Sequence, residues 1–336
     1  MKDRREFLKG AATGAVLLGS SAAANSLALA GMLAVRPEKG KSRVVVARDP
    51  GLGAGAPDET RVLALLDHAI TTYTGRAKPS EAWNSVGYPH IHKNRVVGIK
   101  VNGLGGRGIS THAVLIQAIC ERLQQAGVSA GNIVVWDRNA RDLGACGMKI
   151  NTDRGRVRCF GSDVAGYEEQ QESWGVARIR LSKILTRECA VVINVPILKD
   201  HEMAGLTFAM KNMYGVVDRP DSLHGNNCCP GVADLNCIPA IREKVCITIG
   251  DALSSVYQGG PGFHPERLWY PNALIVGEDR VAVDHTALQI LDRKRVQAGL
   301  PTLAAAGRAS RYIEVAADAQ HNLGVNDPKR IQLLEV

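Results

Sequence analysis

Cys189-Ala190-Val191-Val192-Ile193-Asn194-Val195-Pro196-Ile197-Leu198-Lys199-Asp200-His201 decides the fold class, because an apolar run passes directly into a polar cluster. Short apolar runs of this kind read as strands buried on both faces, the strands that parallel sheets use. Polar groups gathered just past the end of such a strand sit where open α/β sheets build their sites. The block continues through Glu202 to Phe208 and into Ala209-Met210-Lys211-Asn212-Met213-Tyr214-Gly215, which adds a second lysine and a second asparagine.

Working outward, strands are predicted at residues 43–48, 96–101, 133–136, 157–160, 190–195, 245–249, 273–276 and 331–334. Between them, helical spacing is predicted over 58–74, 111–126, 279–297 and 312–321, with a short helix over 207–214 stopped by Gly215. The 111–126 helix is expected to be capped by Ser110 or Thr111. Strands alternating with helices imply an α/β fold: a mainly parallel sheet with flanking helices, in one or two closely packed lobes spanning residues 31–336. Some 300 residues suffice to bury such a core.

The N-terminus reads as a targeting segment. Arg4-Arg5-Glu6-Phe7-Leu8-Lys9 matches a twin-arginine export signal, residues 10–30 are rich in Ala, Gly, Leu and Ser, and Ala28-Leu29-Ala30 has the pattern of a signal-peptidase site. Residues 1–30 are therefore expected to engage the twin-arginine translocase and to be removed, leaving a periplasmic protein with no stable membrane span. Loss of Lys2, Arg4, Arg5, Lys9, Asp3 and Glu6 leaves 37 basic and 31 acidic residues, lowering the net charge from +8 to +6. That mild excess contains no long Lys/Arg run, and aromatics make up 4% of the chain. Both features argue against nucleic acid as a partner and suit a small anionic molecule.

Gly103-Leu104-Gly105-Gly106-Arg107-Gly108 follows a strand and precedes a helix, the context of a dinucleotide loop. Asp137, the next acidic strand end, lies 29 residues beyond Gly108, past the usual gap of about 20. NAD binding is thus disfavoured. Glycines here would instead let backbone amides approach an anion, or simply make a turn. Lys100, Asn102, Asn194, Lys199, Lys211 and Asn212 all fall at strand ends or on the short segment after them. Such a set suits carboxylate or phosphate oxygens, with Lys100, Asn102, Asn194, Asn212 and Asp251 as substrate-binding candidates. Lys211, His201 and Lys199 are the catalytic candidates, because a desolvated lysine among other cations loses proton affinity and becomes a base or nucleophile. His201 is expected in the loop after its strand.

All eight cysteines lie beyond residue 30 without a C-x-x-C pair or a ferredoxin-like spacing. Cys120, Cys159, Cys189 and Cys246 stand in apolar segments and read as core. Cys228, Cys229 and Cys237 fall in a polar stretch with His224; they read as a loop disulfide, as free thiols, or with His224 as a soft metal or iron–sulfur site. His90 and His92 form an H-x-H pair, and Asp284-His285 reads as a supporting acid–imidazole pair.

Taken together, these blocks resemble the domain of unknown function 362 family. The resemblance rests on Val97-Gly98-Ile99-Lys100-Val101-Asn102, on Ile193 to His201, on Met210-Lys211-Asn212-Met213-Tyr214-Gly215, on Ile249-Gly250-Asp251-Ala252 with Gly259-Gly260-Pro261-Gly262, and on Val281-Ala282-Val283-Asp284. It covers nearly the whole chain past residue 30. A narrower stretch is similar to the nickel-pincer lactate racemases: His201, Ala204-Gly205 and a lysine ten residues after the histidine, Lys211, with His224 downstream. That likeness implies a shared fold and site position. The racemases' Ser-Gly-Gly before the lysine is Thr207-Phe208-Ala209 here, and their Asp-His-Thr-Arg element is missing.

Three functional readings follow from the sequence. One is an enzyme for a small anionic substrate, with or without a metal; another is an iron–sulfur or metal-linked redox module; the third is a non-catalytic periplasmic binding protein.

Overall fold

The computed structural model describes residues 38–86, 91, 94–106 and 108–336. Residues 1–30, where the export signal is expected, and His90, His92 and Arg107 lie outside the described residues. Those described belong to one unit, Arg36–Val336.

Among the described residues, eleven strands form one sheet. In chain order they are β1 (Ser42–Arg48), β2 (Val97–Val101), β3 (Ile133–Asp137), β4 (Arg158–Gly161), β5 (Val191–Val195), β6 (Ile197–His201), β7 (Gly205–Thr207), β8 (Val245–Val256), β9 (Leu268–Trp269), β10 (Ala273–Gly277) and β11 (Ile331–Glu335). The spatial order is β11-β1-β10-β8-β5-β2-β3-β4, with β6 and β9 paired to β8 and β7 paired to β6. Along that path β10 alone runs antiparallel to both neighbours. From β2 the chain proceeds outward to β3 and β4, then returns to the other side of β2 as β5 and continues to β8. This reversal makes the β2/β5 crevice the topological switch point, where open α/β sheets place ligands.

Side-chain alternation assigns the two faces. Val97, Ile99 and Val101 pack with α1 (Glu59–Thr74) and α2 (Ala113–Gln125) on one face. The opposite face carries Val134, Trp136 and Val192 and is covered by α3 (Arg280–Gln297), the Gly231–Cys237 helix and their neighbours. Lys100 falls on this second face, directly opposite Asn194 in the parallel β2/β5 register. The sheet thus sets a lysine and an asparagine side by side at its carboxyl edge.

Four local expectations are revised. Residues 207–214 do not form one helix: Gly205–Thr207 pairs with β6, and a 3-10 segment covers Lys211–Val216. The Asp284 carboxylate accepts the Ala209 and Met210 amides at 2.6 and 3.1 Å, which delays the helical turn until Lys211. His201 accordingly lies in strand β6 rather than in a loop. Neither Ser110 nor Thr111 caps α2, which starts behind His112. The Thr111 hydroxyl instead donates to the Val195 carbonyl and accepts the Asn102 amide, stapling β2 to β5. The terminal helix covers only Tyr312–Ala316, because the chain folds back and Leu323 donates to the Ala316 carbonyl. Among the described residues no helix is long and apolar enough to cross a membrane.

Candidate functional site

A cavity of about 220 Å³ opens at the switch point. Its floor is built by the sheet and is fully bonded. Lys100 is buried and gives its three N–H groups to Asp137 Oδ1 (2.7 Å), the Val101 carbonyl (2.7 Å) and Asn212 Oδ1 (3.3 Å). Burial lowers its proton affinity, and Asp137 opposes that effect. Asn212 ties the floor together: its amide nitrogen donates to Asn194 Oδ1 (2.8 Å) and the Lys100 carbonyl (3.2 Å). Asn194 in turn donates to the Ala209 carbonyl at 2.9 Å. Gly215 passes so close over this pair that a Cβ there would collide with Asp137 Oδ1 and Lys100 Nζ.

One side is closed by the glycine-rich loop. Lys199 Nζ donates to Asn102 Oδ1 (3.2 Å), the Leu104 carbonyl (2.7 Å) and the Ile109 carbonyl (3.1 Å). Burial pulls Lys199 down to about 7, while three oxygen acceptors favour its ammonium form. The loop therefore aims carbonyls at a lysine, and its Gly103 amide is taken by Asp137 Oδ2 at 2.6 Å. The anion expected at these glycines is the protein's own carboxylate.

The opposite wall is chemically unfinished. Lys211 is buried, and among the described residues no protein oxygen lies within hydrogen-bond reach of its ammonium. Its neighbours are His224 Nε2 at 3.5 Å and the face of the Tyr214 ring at 4.1 Å. Desolvation lowers Lys211 to about 8, partly offset by Cys228 and Asp221. His201 accepts the Met203 and Ala204 amides through Nδ1, both at 3.2 Å, so its proton sits on Nε2. Burial first, then the Lys211 charge, presses His201 down to about 3; it is neutral and offers one N–H. His224 donates Nδ1–H to the Pro220 carbonyl (3.0 Å), which leaves the Nε2 lone pair toward Lys211. The two imidazoles stack with centroids 5.9 Å apart. Thr207 Oγ1 also belongs to this lining and is buried without a hydrogen-bond partner.

Supports outside the cavity hold this wall in place. The Asp200 carboxylate, beside His201, accepts from Arg308 Nη1 at 3.0 and 3.1 Å and from the Gly260 amide at 3.2 Å. A Cβ on Gly260 would run into the Asp200 carbonyl, so the glycine lets the 258–262 loop close against β6. Asp284 anchors the two residues before Lys211; burial raises its carboxyl to about 7. His285 bonds Asn326 instead and takes no part.

The sequence candidates thus separate. Asn102, Lys199, His201, Lys211, Asn212 and His224 share the cavity; Lys100 and Asn194 lie beneath it. Asp251 does not line it, for its carboxylate is bound to His112. Cys237 ends the Gly231–Cys237 helix, Cys228 and Cys229 lie buried in the tight turn before it, and all eight cysteines are free thiols. Among the described residues no three His, Cys, Asp or Glu side chains converge on a metal position, so His224, Cys228, Cys229 and Cys237 do not make the proposed ligand set. Asp137, Thr207 and Tyr214 are the contributors that sequence reasoning passed over. Asp137 was visible as an acidic strand end; nothing in sequence marked Thr207.

Fold and site define an α/β protein with a polar cavity at the carboxyl edge of its sheet, built around one uncommitted buried lysine. The chain belongs to the family described as "Domain of unknown function (DUF362)", whose profile matches residues 97–289, more than half of its length. A search of curated proteins returns no match. Among solved structures the chain is similar to a structural-genomics crystal structure of a protein from Thermotoga maritima, at 11% identity and a TM-score of 0.44. That match covers 71% of this chain and about 60% of the Thermotoga protein's length.

Proposed function

We propose that this protein is an enzyme that binds a small carboxylate or phosphate in the switch-point cavity and uses Lys211 as its proton-transferring or nucleophilic group. One observation carries the reading: Lys100 and Lys199 spend every N–H on protein oxygens, whereas Lys211 does not. Lys211, His201 and Thr207 line one cavity, and Lys211 Nζ, the His201 Nε2–H and the orphaned Thr207 hydroxyl are three donors in search of acceptor oxygens. A lysine near 8 can hold an anion as ammonium and return the proton at neutral pH, with the His224 lone pair beside it as acceptor. Lys199 and Lys100, assigned by sequence to catalysis and binding, act in this reading by fixing the loop and the floor.

His201 and Lys211 facing one cavity supports a site position in common with the nickel-pincer lactate racemases. The residues present do not complete a metal site, so no step is routed through a metal. The Arg4-Arg5 segment supports export by the twin-arginine translocase to the periplasm, which fractionation and N-terminal sequencing of the processed protein would test.

Calorimetric titration with inorganic phosphate and short-chain carboxylates tests the site. Binding by the wild type and its loss in Lys211→Ala are expected. Equal binding by both proteins would refute the proposal, and binding without any turnover across the panel would favour the non-catalytic reading.

A further inference from the structure

A second cavity, about 450 Å³ in volume, lies on the far side of the glycine-rich loop. Ser254, His112 and Gly108 line it. Ser254 Oγ stands 3.2 Å from His112 Nε2, and His112 Nδ1 stands 2.8 Å from Asp251 Oδ2. Asp251 is completely buried, and its other oxygen accepts the Leu253 amide at 3.0 Å. The same Oδ2 also accepts the His112 backbone amide at 2.8 Å, which fixes the imidazole at both its ring and its main chain. These contacts reproduce the order of a nucleophile, a base and an orienting carboxylate, which is recognised by geometry rather than by position in sequence. In the resting structure the Ser254 hydroxyl lies 2.9 Å from the Gly108 carbonyl; rotation about Cβ–Oγ redirects its proton to His112.

We propose that Ser254, His112 and Asp251 form a second site that cleaves small uncharged carboxylic esters. Ser254 Oγ bonds to the acyl carbon as its proton passes to His112 Nε2. The carbon–oxygen bond to the alcohol then breaks, and the departing alcohol takes that proton. Water attacks the acyl-serine, giving one proton to His112 and releasing the carboxylic acid, and the proton returns to Ser254. The first-turn amides of Ala113 and Val114 have no intrahelical acceptor, and both residues line the cavity. They are the available donors for the developing oxyanion. The remaining described lining, including Gly55, Ala56, Pro57, Leu268 and Tyr270, carries no formal charge, which sets the substrate class. Burial pulls His112 down, but the Asp251 carboxylate outweighs it and the net shift is upward, so the imidazolium formed during attack is stabilised.

The site is tested on the full chain with a fluorophosphonate probe and with p-nitrophenyl acetate. A single phosphonyl adduct on Ser254, located by peptide mass spectrometry, is expected. Adduct and burst should vanish in Ser254→Ala, fall at least 100-fold in His112→Ala, and persist in Lys211→Ala. Labelling of the wild type needs no variant to fold: a well-folded protein left unmodified at Ser254 overturns the proposal. So does p-nitrophenyl acetate turnover that Ser254→Ala leaves unchanged.

Discussion

The floor and the far wall of the switch-point cavity use the same residue type in opposite ways. In the floor, Lys100 is paired with Asp137 and satisfied by two further oxygens, and Asn212 links it to Asn194. On the wall, Lys211 has an imidazole and an aromatic face and, among the described residues, no carboxylate within hydrogen-bond distance. Burial costs both lysines their solvation. Only in the floor does the protein return oxygen contacts in exchange, so the floor's charge is compensated and the wall is left with a reactive one.

The sharpest way to break this contrast is Lys100→Ala. It strands Asp137 without its cation, and unfolding in urea is expected to show a loss of about 3–5 kcal/mol. Gly215→Ala attacks the same pair sterically and should cost about 1–3 kcal/mol, read in the same way. Lys211→Met should do the reverse. An unpaired buried charge destabilises the fold, so this variant is expected to gain about 1–3 kcal/mol at pH 7 while anion binding disappears. Both outcomes together separate a functional lysine from a structural one.

pH sharpens the comparison further. Lys211 titrates near 8 in the folded protein and near 10.4 when unfolded, so between those values the unfolded chain binds more protons. Stability of the wild type relative to Lys211→Met should therefore rise with pH across that window and level off above it. Anion affinity should move oppositely, falling as pH climbs through 8 and the ammonium is lost, which calorimetry at several pH values would show. The smallest effect is expected for Thr207→Val. Its hydroxyl has no protein partner, so stability should change by less than about 1 kcal/mol. Affinity for phosphate or carboxylate should drop several-fold.

Much of this was legible beforehand. Apolar runs marked β2, β3 and β5, alternation with helical segments gave a mainly parallel sheet, and polar residues at the strand ends located the site. These features follow from local periodicity and from the rule that parallel strands are buried. The family's blocks pointed to the same residues. The 207–214 segment reads as one helix up to Gly215, yet only its end is helical, as the 3-10 turn Lys211–Val216. Capture of the Ala209 and Met210 amides by Asp284, 75 and 74 residues away, is a contact no local pattern reveals.

By itself the sequence determined that Lys100, Asn102, Asn194, Lys199 and Lys211 fall at or just past strand ends, because the apolar runs stop there; the pairing of Lys100 with Asn194 belongs to the sheet register. Tertiary structure alone decided what each of them does. Three lysines of identical chemistry were sorted by the acceptors that distant segments bring to them: Asp137 and Asn212 to Lys100, the glycine-loop carbonyls to Lys199, and among the described residues no oxygen to Lys211. Asp251 and His112 show the same principle on the other side of the loop. Hydrogen bonds form only when donor and acceptor come within about 3 Å, so partners 139 residues apart in sequence are settled only when the chain has closed.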